Sequence, residues 1–340
     1  MIKDLKTKKL FWLTFLLLIS LSGVSCLDRE EEVTLHVKEL SSPSLLPGDL
    51  THQKVYFVKN ENDKSILHIT NIGRSDNEQV VPKTEGNNFT LSPLSRNIAF
   101  DSSKKINDEL RSGIWIYDLN NNYEENIVLW PNSFFKVSLS SPYFFPDEKT
   151  IIFDITWYEK DKFGLGILDL ENDSLEILDK VSNIGISPVV SPDGSKILTL
   201  CAGMDRDSHL PGFQLCIMNS DGTDHKILTH NGDSHGSYLF TPDNKHIVYT
   251  ETETGGLLKI REKPYQRVYI TDLEGSQHRK LLDFRGAVRA ISADGEDIIL
   301  EGTPGEPYPW SIYLLSIDGM DLRHLSYFDD FLAKWYPKDD

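Results

Sequence analysis

Two thiols are the first side chains in this sequence whose type and spacing could do chemistry. Cys201 and Cys216 are 15 residues apart, and a symmetric hairpin around residues 207–209 would bring them close together. In an exported protein such a pair could oxidise to a disulfide. The alternative, two small hydrophobic residues that are buried separately, is favoured because a direct cross-strand disulfide needs a specific geometry.

Basic side chains form a second candidate group. His235, Arg285 and Arg289 could together hold an anion, because a cleft lined by one sign of charge focuses the electric field. The competing interpretation is that both arginines form salt bridges with nearby carboxylates.

Common signatures of zinc and phosphate sites are missing from the sequence. It contains no Cys-x-x-Cys or His-Glu-x-x-His pattern and no Gly-rich phosphate loop ahead of a helix. Its Asp-Gly pairs could hold calcium, but Asp and Gly also suit the backbone of hairpin turns. We therefore expect no cofactor and no metal, and we favour binding over catalysis. The formal charge of −17 also argues against a surface that follows nucleic-acid phosphates.

The elements that must position these residues repeat along the chain. A short motif, Ser-Pro-Asp-Gly in its fullest form at residues 191–194, recurs with spacings of 53, 46, 50, 51 and 44 residues, with Ala293 in place of one proline. A β-rich run follows each internal copy, beginning at Asn97, Thr150, Lys196, His246 and Asp297. An apolar run that ends in a turn comes next, and a short apolar piece completes the unit. Each unit therefore predicts four short strands joined by hairpin turns.

Stacked units of this kind predict the fold. One small sheet cannot bury both of its faces, so neighbouring sheets must pack face to face, and a ring of them leaves few open edges. We predict an all-β, six-bladed β-propeller of four-stranded blades. Residues 331–336 are expected to be the closing strand, donated by the C-terminus to the first blade.

The motifs at residues 191–197 and 215–223 resemble the propeller repeat of TolB-type proteins. The resemblance covers the chain from about residue 55 and implies a six-bladed propeller. TolB itself carries an extra α/β domain before its propeller, and residues 28–49 are too short for one, so its role in the Tol system is not implied. Oligogalacturonate lyases, which are similar propellers, hold a metal with histidines at the channel mouth, where this sequence has only His235. That resemblance leaves a channel-mouth enzyme of the sugar-lyase or lactonase kind as the alternative function.

The N-terminus indicates export. A basic segment, an apolar stretch and small residues lead to Cys26, and residues 23–26 resemble a bacterial lipobox, although Gly23 stands where Leu is usual. We predict a lipoprotein signal peptide at 1–25, a tether at 26–50 and the propeller at 51–340, with Cys26 lipidated. The expected location is the cell envelope, at the outer membrane in a two-membrane host and facing the periplasm or the exterior. Ordinary cleavage near Ser25, giving a soluble exported protein, is the alternative.

One end of the predicted propeller carries the longer loops, at residues 156–163, 202–212, 251–267 and 302–311. Alignment on the repeat places His235 at the channel mouth on this face, flanked by Arg285 and Arg289. The loops also carry large aromatic residues, which interfaces use as hot spots: Trp157, Tyr158, Phe163, Tyr265, Tyr308 and Trp310. We expect a monomeric, membrane-anchored, non-catalytic scaffold that recognises an envelope protein or glycan with this face. The alternative is that the rings fold back to cap the blade edges, and the opposite face of tight turns is expected to offer little to hold.

Overall fold

The described part of the chain is built almost entirely of β-strands. In this computed structural model, the described residues are 37–39, 54–61, 64–71, 74–80, 87–93, 97–121, 123–129, 136–160, 162–178, 186–204, 211–229, 234–253, 265–308, 310–325 and 332–335. All of them belong to one compact unit, Val37–Asp340. The predicted signal peptide and Cys26 lie outside the described residues. Within the described ranges, no helix is long and apolar enough to cross a membrane.

The strands of the described residues are, in chain order, β1 (Val37–Glu39), β2 (Lys54–Glu61), β3 (Lys64–Asn71), β4 (Arg74–Val80), β5 (Asn87–Leu91), β6 (Asn97–Ile106), β7 (Glu109–Asp118), β8 (Tyr123–Leu129), β9 (Val137–Phe144), β10 (Thr150–Trp157), β11 (Lys162–Asp169), β12 (Ser174–Leu178), β13 (Ile186–Val190), β14 (Lys196–Met204), β15 (Pro211–Asn219), β16 (Lys226–Ile227), β17 (Ser234–Phe240), β18 (His246–Glu253), β19 (Tyr265–Asp272), β20 (Arg279–Asp283), β21 (Arg285–Ile291), β22 (Asp297–Thr303), β23 (Ser311–Ser316), β24 (Leu322–Leu325) and β25 (Leu332–Trp335). A single 3-10 turn, Tyr158–Lys160, follows β10.

These strands form six sheets, five of four strands and one of five. The first sheet has the order β25-β2-β3-β4, and the second to fifth sheets each contain four strands that are consecutive in the chain, from β5–β8 to β17–β20. The sixth sheet contains β21–β24, and β1 is added in parallel to the outer strand β24. The predicted all-β, six-bladed propeller of four-stranded blades is confirmed. The short strand β1 falls inside the segment predicted as a tether.

The recurring Ser-Pro-Asp-Gly motif is explained by hydrogen bonds within its own turn. The Ser191 hydroxyl donates to the Asp193 carboxylate at 2.6 Å and accepts from the amide of Lys196 at 2.9 Å. Thr241 and Ser292 make the same two contacts in the fifth and sixth sheets. The bond from Ser191 lowers the pKa of Asp193, so this carboxylate stays ionised and available as an acceptor. Each copy therefore fixes the start of the second strand of its sheet.

The second and third strands run further than the apolar pattern indicated. All five second strands begin at the predicted residue, but β10 continues to Trp157 and β14 to Met204. The antiparallel ladder continues through polar residues, as where Trp157 pairs with Lys162, because backbone hydrogen bonds do not require apolar side chains. Trp157 and Phe163 thus lie on strands, and the prediction that both lie on a loop is wrong.

Apolar side chains fill the spaces between neighbouring sheets. On one side of the fourth sheet, Ile197 and Met218 pack against Leu178 of the third. On the other side, Leu198 packs with Tyr249 of the fifth. Alternate residues of a strand point to opposite faces, so each second strand supplies two cores at once.

The C-terminal strand β25 pairs with the first sheet, as predicted. It lies antiparallel to β2, with Val58 opposite Leu332 and Val55 opposite Trp335. It also packs against β21 and β22 of the sixth sheet. The contribution of this pairing to closing and stabilising the ring stays a prediction.

Candidate functional site

The two ends of each sheet differ in the connections they carry. One end, which we call the loop face, is the end at which the second strands β10, β14, β18 and β22 finish and the third strands β11, β15, β19 and β23 begin. The other end, which we call the turn face, carries the Ser-Pro-Asp-Gly turns. The predicted aromatic residues, His235 and Arg285 lie toward the loop-face end of their sheets, whereas Arg289 lies in the middle of β21.

Trp157 packs on its own sheet. A Cβ atom placed on Gly164 would lie 2.8 Å from the Trp157 ring, so the ring covers that glycine. The ring also packs against the core between the second and third sheets, and the Lys162 ammonium lies 5.5 Å from its centroid. This geometry is that of a ring folded back on the blade edge.

Tyr158, the next residue, points into solvent. Its side chain is 52% exposed, and it begins the 3-10 turn Tyr158–Lys160. The Tyr158 amide donates to the carbonyl of Lys136, beside the inner strand β9, at 3.0 Å. The turn is therefore held to the sheet while its aromatic ring remains accessible.

A second exposed ring lies on the connection from β22 to β23. The Thr303 hydroxyl donates to the carbonyl of Tyr308 at 2.9 Å and accepts from the amide of Gly305 at 3.0 Å. These bonds fold residues 303–308 into a compact turn. Trp310 follows it and is 52% exposed, whereas Tyr308 is half-buried.

Two of the predicted site residues are described only by their backbone. His235 lies in β17 opposite Glu251, and Tyr265 begins β19 opposite Glu253. Both positions are at the loop-face end of the fifth sheet, where the sequence placed them. Their side chains lie outside the described residues.

The two arginines differ in what they contact. Arg289 lies in the bulge of β21, and its Nε donates to the Glu301 carboxylate at 2.6 Å. Arg285 is exposed at the start of the same strand, opposite Thr303. The backbones are close here, since a Cβ on Gly302 would lie 2.1 Å from the Arg285 carbonyl oxygen. Glu301 thus compensates the charge of Arg289, which is one of the three basic residues of the predicted anion site.

Residues 232–236 match the Gly-x-Ser-x-Gly pattern of serine hydrolases, which the sequence analysis wrongly took to be absent. In those enzymes the serine stands on a sharp turn between a strand and a helix. Here Ser234 begins the inner strand β17 and pairs with Thr252 of β18. The match therefore lacks the strand–turn–helix context on which nucleophile exposure depends.

Two buried carboxylates, missed by the sequence analysis, connect neighbouring sheets near the inner strands. Both carboxylate oxygens of Asp154, in β10, lie 2.9 Å from the amide nitrogen of Ser187 in the next sheet. Asp101, in β6, accepts from the amide of Ser141 in the next sheet at 3.4 Å. Burial raises the pKa of Asp154 to about 8 and also raises the pKa of Asp101. Asp154 is consequently protonated at neutral pH.

A signal for these carboxylates was present in the sequence. Asp101, Asp154 and Glu301 are each the fifth residue of the second strand of their sheet. Aligning the units on the first strand residue would have shown an acidic position in three of them. Ser141 and Ser187, whose amides donate the hydrogen bonds to Asp101 and Asp154, have φ angles of +51° and +63° at the bulges of their inner strands.

Cys201 and Cys216 are joined in a disulfide, so their interpretation as separate buried thiols is wrong. They are diagonal neighbours on β14 and β15, since Cys201 pairs with Gln214 and Cys216 with Thr199. Their Cα atoms are 6.1 Å apart, which suits a disulfide. Both are buried, and His225 lies beside them.

The turn face carries a cleft of about 370 Å³ between the fifth and sixth sheets. Its lining includes the turn residues Asp243 and Asp294 together with His246. Arg279 lies along it and donates to the carbonyl of Asp318 at 2.7 Å. This cleft lies on the face that was expected to offer little to hold.

Comparisons with known proteins support the fold. No protein-family model and no curated protein sequence matches the chain. Among solved structures, TolB from Acinetobacter baumannii is similar, with a TM-score of 0.61 and 19% identity over 86% of this chain and 68% of that one. An oligogalacturonate lyase from Vibrio parahaemolyticus has a TM-score of 0.56 and 13% identity, covering 84% of this chain and 76% of that one. A chain of a nidogen/laminin complex has a TM-score of 0.57 and 10% identity, covering 84% of this chain and 99% of that one. The chain thus has a TolB-like propeller fold.

Proposed function

We propose that this protein is a non-catalytic binding propeller of the bacterial cell envelope that recognises a protein or glycan with its loop face. The observation that carries the proposal is the exposure of two large rings, Tyr158 and Trp310, each 52% accessible and each on a connection held by hydrogen bonds. Rigidly presented Tyr and Trp rings lose little entropy on binding and supply much of the energy of interface hot spots.

Similarity to solved propellers is compatible with binding and with catalysis. The nidogen/laminin structure is a protein complex that contains a propeller of this general fold, and the oligogalacturonate lyase is an enzyme of similar fold. At 10% and 13% identity these likenesses concern the fold alone. The choice therefore depends on the loop face, where the rings remain accessible, and on Arg289, whose charge is compensated by Glu301.

The proposed location follows from the N-terminal segment. Lipidation at Cys26 would hold the propeller at the membrane surface, at the outer membrane in a two-membrane host. The propeller would then act as a monomer that faces the periplasm or the exterior.

The proposal is tested by capture of native partners from a detergent-solubilised envelope fraction of the source cells. The wild-type propeller is compared with a Tyr158→Ala/Trp310→Ala variant and with a Tyr123→Ala/Met320→Ala control. The control residues are 60% and 83% exposed and lie on the turn face. We expect the loop-face variant to lose the proteins or glycans that both other forms retain. Equal capture by all three forms, at unchanged melting temperatures, would contradict the proposal.

A further inference from the structure

The cluster of Cys201, Cys216 and His225 has the composition of a metal site. Two of the side chains lie on adjacent strands, β14 and β15, and His225 immediately precedes β16. The three donor atoms all lie within 4.8 Å of one another. Among the described residues, this is the only such group of three or more His, Cys, Asp or Glu side chains.

The strands of the fourth sheet position all three donors on one side. Ile197 and Met218 face the third sheet, and the two-residue period of a strand places Cys201 and Cys216 on that same side. The turn before β16 also approaches the third sheet, because a Cβ on Gly222 would lie 3.4 Å from Leu178. The donors therefore occupy a largely apolar space between two sheets.

The distance between the Cys201 sulfur and the His225 nitrogen suits shared coordination. Metal–sulfur bonds of about 2.3 Å and metal–nitrogen bonds of about 2.0 Å place two donors on one ion roughly 3.5–4 Å apart. The Cys201 Sγ atom and the His225 Nε2 atom are 3.4 Å apart.

We propose that the disulfide is the oxidised form of a buried metal site, and that reduced Cys201 and Cys216 bind a thiophilic ion together with His225. Two thiolates and one imidazole in a three-ligand setting favour Cu(I) over ions that prefer oxygen ligands. Binding begins with a dithiol reductant, which passes two electrons and two protons to the disulfide and is itself oxidised to a disulfide. The metal ion then replaces the two thiol protons, which go to solvent.

A matched control is available in the fifth sheet. His278 immediately precedes β20, as His225 precedes β16, but its Nδ1 lies 2.8 Å from the Tyr249 hydroxyl and has no cysteine pair beside it among the described residues. His278→Gln therefore removes a histidine from the equivalent place without touching the cluster.

The test is an anaerobic titration of the full-length mature chain with Cu(I) against a chromophoric Cu(I) chelator. The reduced wild-type protein and the His278→Gln variant should each bind one Cu(I), and the disulfide form should bind none. His225→Gln should weaken binding at least roughly tenfold, and Cys201→Ser/Cys216→Ser should abolish it. X-ray absorption should show two sulfur ligands and one nitrogen ligand.

Four results would overturn the proposal. They are no stoichiometric binding by the reduced wild-type protein, equal binding by the disulfide form, unchanged affinity in His225→Gln, and loss of the folded circular dichroism spectrum on reduction alone.

Discussion

Asp154→Asn should change how the stability of the protein depends on pH. Asp154 is buried and its pKa lies at about 8, whereas an unfolded aspartate titrates near 3.8. Between pH 5 and 7 the folded state therefore holds about one proton more at this residue than the unfolded state does. Because the folded state binds more protons, raising the pH lowers the free energy of unfolding.

The magnitude follows from the linkage of one proton. One proton per molecule corresponds to about 1.4 kcal/mol per pH unit, or roughly 3 kcal/mol between pH 5 and 7. Asparagine resembles the protonated carboxyl group and keeps one oxygen to accept the Ser187 amide at the observed 2.9 Å. The free energy of unfolding of the variant, relative to that of the wild-type protein, should therefore rise by about 1.4 kcal/mol for each unit of pH.

The assay is urea unfolding of both proteins at pH 5, 6, 7 and 8, with free energies from linear extrapolation. Asp101 also has a raised pKa, and the turn aspartate Asp193 has a lowered pKa. Both residues are present in each protein, so their contributions to the pH dependence cancel in the difference between variant and wild type. Asp154→Ala serves as the comparison, because it also lacks the titrating carboxyl group but leaves the Ser187 amide without its acceptor. It should therefore be about 1–3 kcal/mol less stable than Asp154→Asn at every pH. A difference between Asp154→Asn and wild type that stays constant from pH 5 to 7 would refute the reasoning.

Three further predictions concern packing, ring closure and anchoring. Trp157→Ala should lower the free energy of unfolding by about 2–4 kcal/mol, because the ring packs on the blade edge. Urea titration would measure this change, and a value below about 0.5 kcal/mol would contradict the packing. Deletion of residues 331–340 should remove β25 from the first sheet and lower the melting temperature or cause aggregation, whereas an unchanged melting curve would contradict closure by this strand. Cys26→Ala should release the protein from the membrane fraction. If mass spectrometry shows that the mature N-terminus of the wild-type protein is unmodified, the lipid anchor is excluded.

The repeat motifs predicted the strand starts because their chemistry is local. Ser191 and Asp193 fix the turn before β14 through hydrogen bonds within five residues, so the motif alone determines where the strand begins. The strand ends were missed because ladder pairing beyond the apolar run, as between Trp157 and Lys162, depends on the partner strand.

The candidate site was predicted less completely for a related reason. Whether Trp157 packs on Gly164 or reaches solvent depends on the approach of two strands that the aromatic pattern does not encode. The hydrogen bond that the Ser187 amide donates to Asp154 joins residues 33 positions apart in different sheets, so no local motif indicates it. Even so, the sequence predicted that Tyr158 and Trp310 lie at the loop-bearing end, and the structure has both of them there.

The most direct test of the loop face as the binding face is photo-crosslinking in living source cells. A photoreactive amino acid would replace Tyr158 or Trp310 on the loop face, or Tyr123 or Met320 on the turn face, in the full-length chain. Defined crosslinked adducts, shared by the two loop-face positions and missing from the two turn-face positions, are the predicted result. Adducts confined to the turn-face positions, or an equal pattern at all four, would contradict the account.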